Sequence, residues 1–337
     1  MDTLLLRAAL KRGLIIATAN WPVVLIDFAV DSFRKLALTI PVVGGALMVG
    51  TLVGTDLSAL LAQGVMATAD VVLGSLATSP AALSAFLAAI TLVAVGGEVL
   101  TFVVKAGTLA VLVEADARAG EVHRAPIGVD TFTRARAFTL DHVLLGARHF
   151  GRRMAGLALV LGGSYSLLAV LYVVLVSYGV AYGGGVAWLP AWSLFVLLST
   201  SAGIVVVGAV NLVCDLLRVV MVTSDCSLGV AVSRVRRFVV EDARQVIGIF
   251  SVIGAVEILA TAVSLLAAAG LTPVAYLPVV SLIIVPIQLA VWLVRGLVFE
   301  WLALSAVSAY QTQYRRFAEA RWPSPAERPA LAVDDIQ

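Results

Sequence analysis

Charged residues are scarce in this sequence, and their scarcity limits the class of protein to which it belongs. Only 13% of the 337 residues are Asp, Glu, Lys or Arg, whereas 61% are hydrophobic and the mean hydropathy is +1.03. A soluble domain carries about a quarter charged residues, and a soluble chain this apolar would expose large hydrophobic patches. The composition therefore excludes an ordinary soluble domain and indicates an integral membrane protein.

Cysteine and histidine are also rare, which bears on disulfide bonds, metal sites and catalysis. The two cysteines, Cys214 and Cys226, lie in or next to one predicted span, where neither a disulfide nor a thiolate metal site is expected. The three histidines, His123, His142 and His149, lack metal-ligand spacing. Since catalytic triads, phosphate loops and metalloprotease motifs are also lacking, the sequence predicts no cofactor and no enzymatic activity.

Lys and Arg are missing from three of the connections between apolar runs, namely 55–80, 183–190 and 270–276. The other connections hold 20 of the 23 basic residues: Arg7, Lys11, Arg12, Arg34, Lys35, Arg118, Arg124, Arg134, Arg136, Arg148, Arg152, Arg153, Arg234, Arg236, Arg237, Arg244, Arg315, Arg316, Arg321 and Arg328. By the positive-inside bias, both termini and the two basic loops are predicted to be cytoplasmic. We therefore expect a multi-pass protein of the bacterial cytoplasmic (inner) membrane.

The apolar runs predict an all-α fold, a polytopic transmembrane helix bundle that forms one domain over residues 1–322. About six spans are expected, at 36–54, 81–113, 154–182, 191–222, 246–269 and 277–309. The proline-containing segment 323–337 is predicted to be a disordered cytoplasmic tail.

Four segments are amphipathic and are predicted to lie at the membrane surface: 13–33, 57–77, 128–150 and 227–244. If the first two segments instead cross the bilayer, the protein has eight spans, and everything after residue 81 keeps its orientation. In the last segment, the periodicity places Val232, Val235, Phe238 and Val239 on one apolar face.

A weak threefold repeat runs through the predicted elements. Amphipathic segments near 20–35, 128–150 and 227–244 each precede an outward span and then a long inward span. Their starts are spaced by roughly a hundred residues, as in proteins built from internal repeats. The sequence therefore predicts three units, each made of one surface helix and two membrane helices.

Ionisable side chains inside predicted spans are candidate site residues, because an unpaired charge in hydrocarbon is costly. The set is Glu98, Lys105, Asp215, Arg218, Glu257, Arg295 and Glu300. They either line a polar cavity that opens inward and binds an anionic group or relays protons, or they form interhelical ion pairs that fix helix register. Glu257 has no basic neighbour on its own span, so it is predicted to meet Arg295 or to be protonated.

Eight arginines in the basic loops are candidates for contact with anionic lipid head groups. They are Arg134, Arg136, Arg148, Arg152, Arg153, Arg234, Arg236 and Arg237. Because these residues lie beside membrane spans, a nucleic-acid partner is not expected; the bilayer and other membrane proteins are the predicted partners.

One stretch, in which an inward span runs into a loop and an amphipathic helix, carries a resemblance to a known group. Its characteristic residues are Lys105-Ala-Gly107, Leu109, Ala119-Gly120 and Asp130-x-Phe132. The plan resembles bacterial six-helix membrane families of unknown function, including the membrane domain fused to some glycerophosphodiester phosphodiesterases. The resemblance implies a fold and a membrane location, and it carries over no catalytic residue.

Three functional hypotheses follow from these features. A scaffold or accessory membrane subunit is favoured by the lack of catalytic motifs and by the short outer loops. A transporter or permease-like protein for a small or lipidic anionic substrate is motivated by the repeat and the intramembrane charges, and an intramembrane enzyme only by Glu98 and Glu257. A hydrated cavity shared by Glu98, Glu257 and Arg295 would favour transport, whereas single close partners would favour the scaffold.

Overall fold

The computed structural model describes residues 3–53, 80–120, 122, 128–182, 189–275 and 278–321, which form helices joined by short turns. In chain order the helices are α1 (Thr3–Ala19), α2 (Trp21–Val53), α3 (Pro80–Ala119), α4 (Val129–Ala135), α5 (Leu140–Tyr182), α6 (Leu189–Thr223), α7 (Leu228–Glu241), α8 (Ala243–Ala275) and α9 (Pro278–Arg321). No strand occurs in these ranges. The predicted all-α class is confirmed.

Five stretches of the described chain are long and apolar enough to cross a membrane. They are Leu83–Ala119, Val129–Gly179, Pro190–Thr223, Ala243–Ala267 and Pro286–Arg321. A sixth candidate is the pair Leu6–Ala19 and Trp21–Pro41, whose helices bend by 79° where they join. Five or six candidate spans agree with the predicted polytopic bundle, and the chain is a multi-pass membrane protein.

The bend between α1 and α2 is held by Asn20, which is fully buried. The side-chain oxygen of Asn20 accepts hydrogen bonds from the backbone N–H groups of Ala137 and Phe138, at 2.9 and 3.0 Å. Its amide nitrogen donates to the backbone oxygens of Ile16 and Ala135, at 2.9 and 2.8 Å. These four bonds use the full capacity of the amide and fix the bend against the turn between α4 and α5.

The predicted surface helices therefore differ in extent from the helices observed. The bend divides the segment 13–33 between α1 and α2, and the predicted span 36–54 is the second part of α2. Segment 128–150 is divided between α4 and the start of the long α5. The predicted segments 57–77 and 323–337 lie outside the described residues.

The nine helices of the described ranges form three successive sets of one short and two long helices. The lengths are 17, 33 and 40 residues for α1 to α3, then 7, 43 and 35 for α4 to α6, and 14, 33 and 44 for α7 to α9. The element order repeats the plan expected from the sequence. The first short helix is α1 rather than the segment 20–35, since 21–35 belongs to the long α2.

Buried side chains gather at one end of the bundle, where α1, α4 and α7 lie against the long helices. Tyr314, Phe238 and Met221 belong to one buried cluster at this packed end, and Ile16 and Leu112 belong to another. The opposite part of the long helices, here called the apolar half, exposes large apolar side chains such as Leu92 (75%), Ile204 (68%) and Leu266 (74%). Such surface requires lipid around it.

The face that α7 buries is shifted from the predicted one. Ala231, Val235 and Phe238 are buried, whereas Val232, which the periodicity places on the buried face, is 50% exposed. The ring of Phe238 packs edge-on against that of Tyr314, with the centroids 5.6 Å apart. This aromatic contact sets the rotation of α7 about its axis.

Candidate functional site: a buried charge cluster

Four helices meet where the packed end borders the apolar half, and they bring charged side chains together. Their charged and hydroxyl side chains line a cavity of about 40 Å³, namely Asp27 of α2, Lys105 and Thr108 of α3, Asp215 and Arg218 of α6, and Glu300 of α9. We call these six residues the charge cluster. Its cavity has room for a few water molecules.

Two ion pairs lie within the charge cluster. Arg218 pairs with Asp215 one turn earlier on α6, and its guanidinium lies 5.2 Å from the centroid of the Phe102 ring on α3. Lys105 Nζ lies 4.0 Å from a carboxylate oxygen of Glu300, which links α3 to α9. Four of the seven residues selected from the sequence are thus brought together.

Asp27 is the charged member of the charge cluster that sequence analysis missed, and Thr108 was missed with it. The residue is 1% exposed; its Oδ2 accepts a hydrogen bond of 3.3 Å from the Thr108 hydroxyl, and its Oδ1 has no hydrogen-bond partner among the described residues. The prediction of a surface helix over 13–33 left Asp27 out of the site. A lone carboxylate within an apolar stretch was the available signal.

Glu98 belongs to a second network beside the charge cluster. Arg34 of α2 lies 3.3 Å from the Glu98 carboxylate and 2.9 Å from that of Asp31, and Lys35 lies 2.5 Å from Asp31. Gly97 lies against the methylene groups of the Arg34 side chain. A Cβ at this position would lie 3.0 Å from Arg34 Cγ, so glycine gives Arg34 the room to reach Glu98. Glu98 therefore has a basic partner on a neighbouring helix.

Glu257 and Arg295 lie apart from the charge cluster. The described residues contain no ion pair between them and none from either to another side chain. The Arg295 guanidinium lies 5.3 Å from the centroid of the Phe299 ring, at the wall of an apolar groove of about 660 Å³ between α8 and α9. Of the three residues expected to converge in a transporter, Glu98 and Glu257 line neither this groove nor the cavity of the charge cluster.

Asp116 forms a second buried carboxylate site, at the packed end, that sequence analysis also missed. Its side chain is 2% exposed and accepts hydrogen bonds from Arg12 Nε at 2.5 Å, Thr312 Oγ1 at 3.1 Å and Arg315 Nη1 at 3.3 Å. Arg12 also donates to the backbone oxygens of Asp116, at 2.7 Å, and Gly120. Gly120 ends α3 with φ +57°, a conformation that favours glycine. This site ties α1, α3 and α9 together.

The arginines predicted to contact lipid head groups lie on the surface of the packed end. Arg134, Arg136, Arg148, Arg152, Arg236 and Arg237 are exposed, and Arg153 and Arg234 are half-buried. Arg153 donates a 2.5 Å hydrogen bond to Asp225, and His149 Nε2 lies 3.2 Å from the same carboxylate. The Arg153 bond, with a smaller contribution from His149, holds the pKa of Asp225 below its usual value.

Comparison with family models, curated proteins and solved structures found no match to this chain. The resemblance to bacterial six-helix membrane families therefore stays a prediction. Within the described part of the chain, no three His, Cys, Asp or Glu side chains lie together as metal ligands. The arrangement that remains is a small polar cavity lined by one interhelical and one intrahelical ion pair, with a second interhelical pair, Arg34–Glu98, beside it.

Proposed function

We propose that the protein is a non-catalytic component of the bacterial cytoplasmic membrane that acts as a scaffold or accessory subunit. The observation that carries this proposal is that charges pair across helices, Lys105 with Glu300 and Arg34 with Glu98, at or beside a cavity of only about 40 Å³. Ligand pockets usually enclose roughly 300 Å³ or more, so this cavity suits water rather than an organic substrate. Ion pairs of this kind fix the relative positions of helices.

The distribution of arginines supports an orientation with the packed end and both termini in the cytoplasm. The exposed arginines of α4, α5 and α7 surround the packed end, and basic residues favour the cytoplasmic side. Contact with an anionic leaflet is worth about 1 kcal/mol for each basic side chain near the surface. The packed end then presents three short helices to lipid head groups and to membrane-protein partners.

Transport of a small or lipidic anionic substrate is the second candidate function. The groove between α8 and α9 favours it, because apolar side chains line the groove and Arg295 lies at its wall. A lipidic anion would place its chain against Val256 and Leu259 and its charge near Arg295. Neither Glu98 nor Glu257 lines this groove beside Arg295, which argues against a shared polar pathway.

Complementation in a strain that lacks the native gene separates the two functions. A scaffold predicts that Glu257→Gln and Arg295→Ala preserve growth at normal membrane abundance, since neither side chain joins helices by an ion pair within the described chain. It also predicts that Arg134→Glu combined with Arg136→Glu loses complementation, because both exposed side chains lie on the proposed docking surface.

The matched control replaces Arg134 and Arg136 by lysine, which keeps the positive charge and should keep complementation. Loss of growth or of substrate uptake in Arg295→Ala, at normal abundance, would contradict a purely scaffolding role. Full complementation by the double glutamate variant would contradict the proposed surface.

A further inference from the structure

The charge cluster holds one more carboxylate than it holds cations. Asp215 pairs with Arg218 and Glu300 faces Lys105, which leaves Asp27 without a cation of its own. The neighbouring network supplies none, because its two cations, Arg34 and Lys35, are matched by Asp31 and Glu98. The cluster therefore carries one excess negative charge when every acid is ionised.

Asp27 is poorly solvated for an ionised group. Facing it are Lys105 and Thr108 from α3, Asp215 and Arg218 from α6, and Glu300 from α9, while Asp31 and Arg34 follow it on α2. The single Thr108 hydroxyl hydrogen has two acceptors in reach, Asp27 Oδ2 at 3.3 Å and the Lys105 backbone oxygen at 3.2 Å. Asp27 Oδ1 has no partner within the described chain. A buried carboxylate with so few hydrogen bonds is costly, and a proton removes that cost.

We propose that the cavity of the charge cluster is a proton-binding site in which Asp27 takes up a proton at mildly acidic pH. On release, the O–H bond of Asp27 breaks, its electron pair stays on the carboxylate, and the proton passes to a cavity water and then to bulk water. The ligand is thus a proton, held beside a few water molecules. This site is independent of whether the protein docks partners.

The Lys105–Glu300 pair responds to the proton on Asp27. At 4.0 Å the pair is loose, and Lys105 lines the same cavity as Asp27. When Asp27 is neutral, Glu300 has Lys105 to itself; when Asp27 is ionised, two carboxylates compete for one ammonium group. Proton release therefore draws Lys105 towards α2 and weakens the contact between α3 and α9.

Infrared spectroscopy of the full-length protein in lipid nanodiscs tests the protonation directly. At mildly acidic pH we expect a carbonyl band of protonated carboxyl groups, part of which is lost in Asp27→Asn and in the wild type when the pH is raised. The matched control is Asp31→Asn, four residues away on α2, whose carboxylate pairs with Lys35 and which should leave the band intact. A band that Asp27→Asn leaves unchanged would overturn the proposal.

Two further measurements keep the test decisive. Asparagine has the size and neutrality of a protonated aspartate, so Asp27→Asn should melt close to the wild type at mildly acidic pH. The reference for a damaged buried carboxylate is Asp116→Asn, which removes the charge that pairs with Arg12. At mildly acidic pH, an Asp27→Asn variant that fails to fold, or that melts as low as Asp116→Asn, would contradict a protonated Asp27. Backbone hydrogen exchange around Glu300, corrected for its intrinsic pH dependence, should become faster with rising pH in the wild type and stay constant in Asp27→Asn. An equal increase in both proteins would contradict the movement of Lys105 from Glu300 towards Asp27.

Discussion

The two parts of α9 show opposite relations between polarity and burial. In the apolar half, Val294 is 60% exposed and Leu289 is also exposed, whereas at the packed end Gln311 is 1% exposed and Thr312 and Gln313 are buried. The buried polar groups reach other helices: the Gln311 amide donates to the Leu112 backbone oxygen at 3.3 Å, and that of Gln313 to Asp242 at 3.2 Å.

This contrast reverses the arrangement of a soluble protein. Lipid solvates valine and leucine as well as a protein interior does, so apolar surface alone brings no helices together in the apolar half. Polar and small side chains specify contacts, because hydrocarbon leaves their hydrogen bonds unsatisfied unless another helix supplies a partner. The packed end is therefore where single substitutions should have large effects.

Replacing Asp116 by alanine should cause the largest loss of stability. The change leaves Arg12 buried without its carboxylate partner and removes the contacts from Thr312 and Arg315. Breaking a buried ion pair costs about 3–5 kcal/mol. Thermal melting in nanodiscs measures the loss, with Ser201→Ala in the apolar half as a control, since the Ser201 hydroxyl donates to the Leu197 backbone oxygen of its own helix. Equal melting of the two variants would contradict the contrast between the two regions.

Truncation of one leucine at each end of the bundle tests the same contrast with apolar side chains. Leu112 is fully buried, so Leu112→Ala should cost about 2–5 kcal/mol through the cavity it leaves. Leu167 in the apolar half is 61% exposed, and Leu167→Ala should change stability by about 0.5 kcal/mol or less, because lipid fills the space. The difference in melting temperature in nanodiscs is the measured quantity. A Leu167→Ala variant that melts as early as Leu112→Ala would show that the apolar half is covered by protein.

Glycines at the two ends should respond differently to alanine. A Cβ on Gly107 would meet the backbone oxygen of Val143, and one on Gly146 would lie 2.6 Å from Ala110 Cβ, so α3 and α5 touch backbone to backbone. Gly107→Ala should therefore cost about 1–3 kcal/mol by overpacking. Gly203 in the apolar half has nothing within 4 Å of an added Cβ. Gly203→Ala should be neutral or stabilise α6 by up to about 1 kcal/mol, through higher helix propensity. Destabilisation by Gly203→Ala would indicate a helix contact there.

Hydropathy and charge were sufficient to predict the class of fold and the plan of the repeat, because both depend on long averages over the chain. Individual contacts were less predictable. Asp27 was missed because the segment 13–33 was assigned to the membrane surface, and Asp116 because it lies just beyond the predicted span 81–113. Packing buries both: α3, α6 and α9 surround Asp27, and α1 and α9 cover Asp116. The rotation of α7 depends on Phe238 meeting Tyr314, which lies 76 positions later in the chain.

The intramembrane charges show the same limit. The sequence identified Lys105, Asp215, Arg218 and Glu300 as unusual, since any ionisable residue in a span is unusual. Their convergence depends on which faces of α3, α6 and α9 meet, and the periodicity of nearly uniform apolar helices contains little information about that. Glu257 and Arg295 carried an equally strong sequence signal, yet the structure places neither in the charge cluster.

The smallest expected effect concerns an exposed contact at the edge of the packed end. Asp225 has φ +42° and accepts the hydrogen bond from Arg153, which holds its pKa below the usual 3.8. A carboxyl with a lowered folded-state pKa stabilises the fold above its unfolded pKa, and this stabilisation is lost as the pH falls through the folded-state value. The wild-type melting temperature should therefore fall slightly more between about pH 5 and about pH 3 than that of Asp225→Asn.

Asparagine tolerates the left-handed backbone as well as aspartate does, so the substitution tests the charge alone. Arg153→Gln should reduce the pH dependence by a similar amount, and an unchanged dependence in both variants would show that the exposed pair contributes nothing to stability.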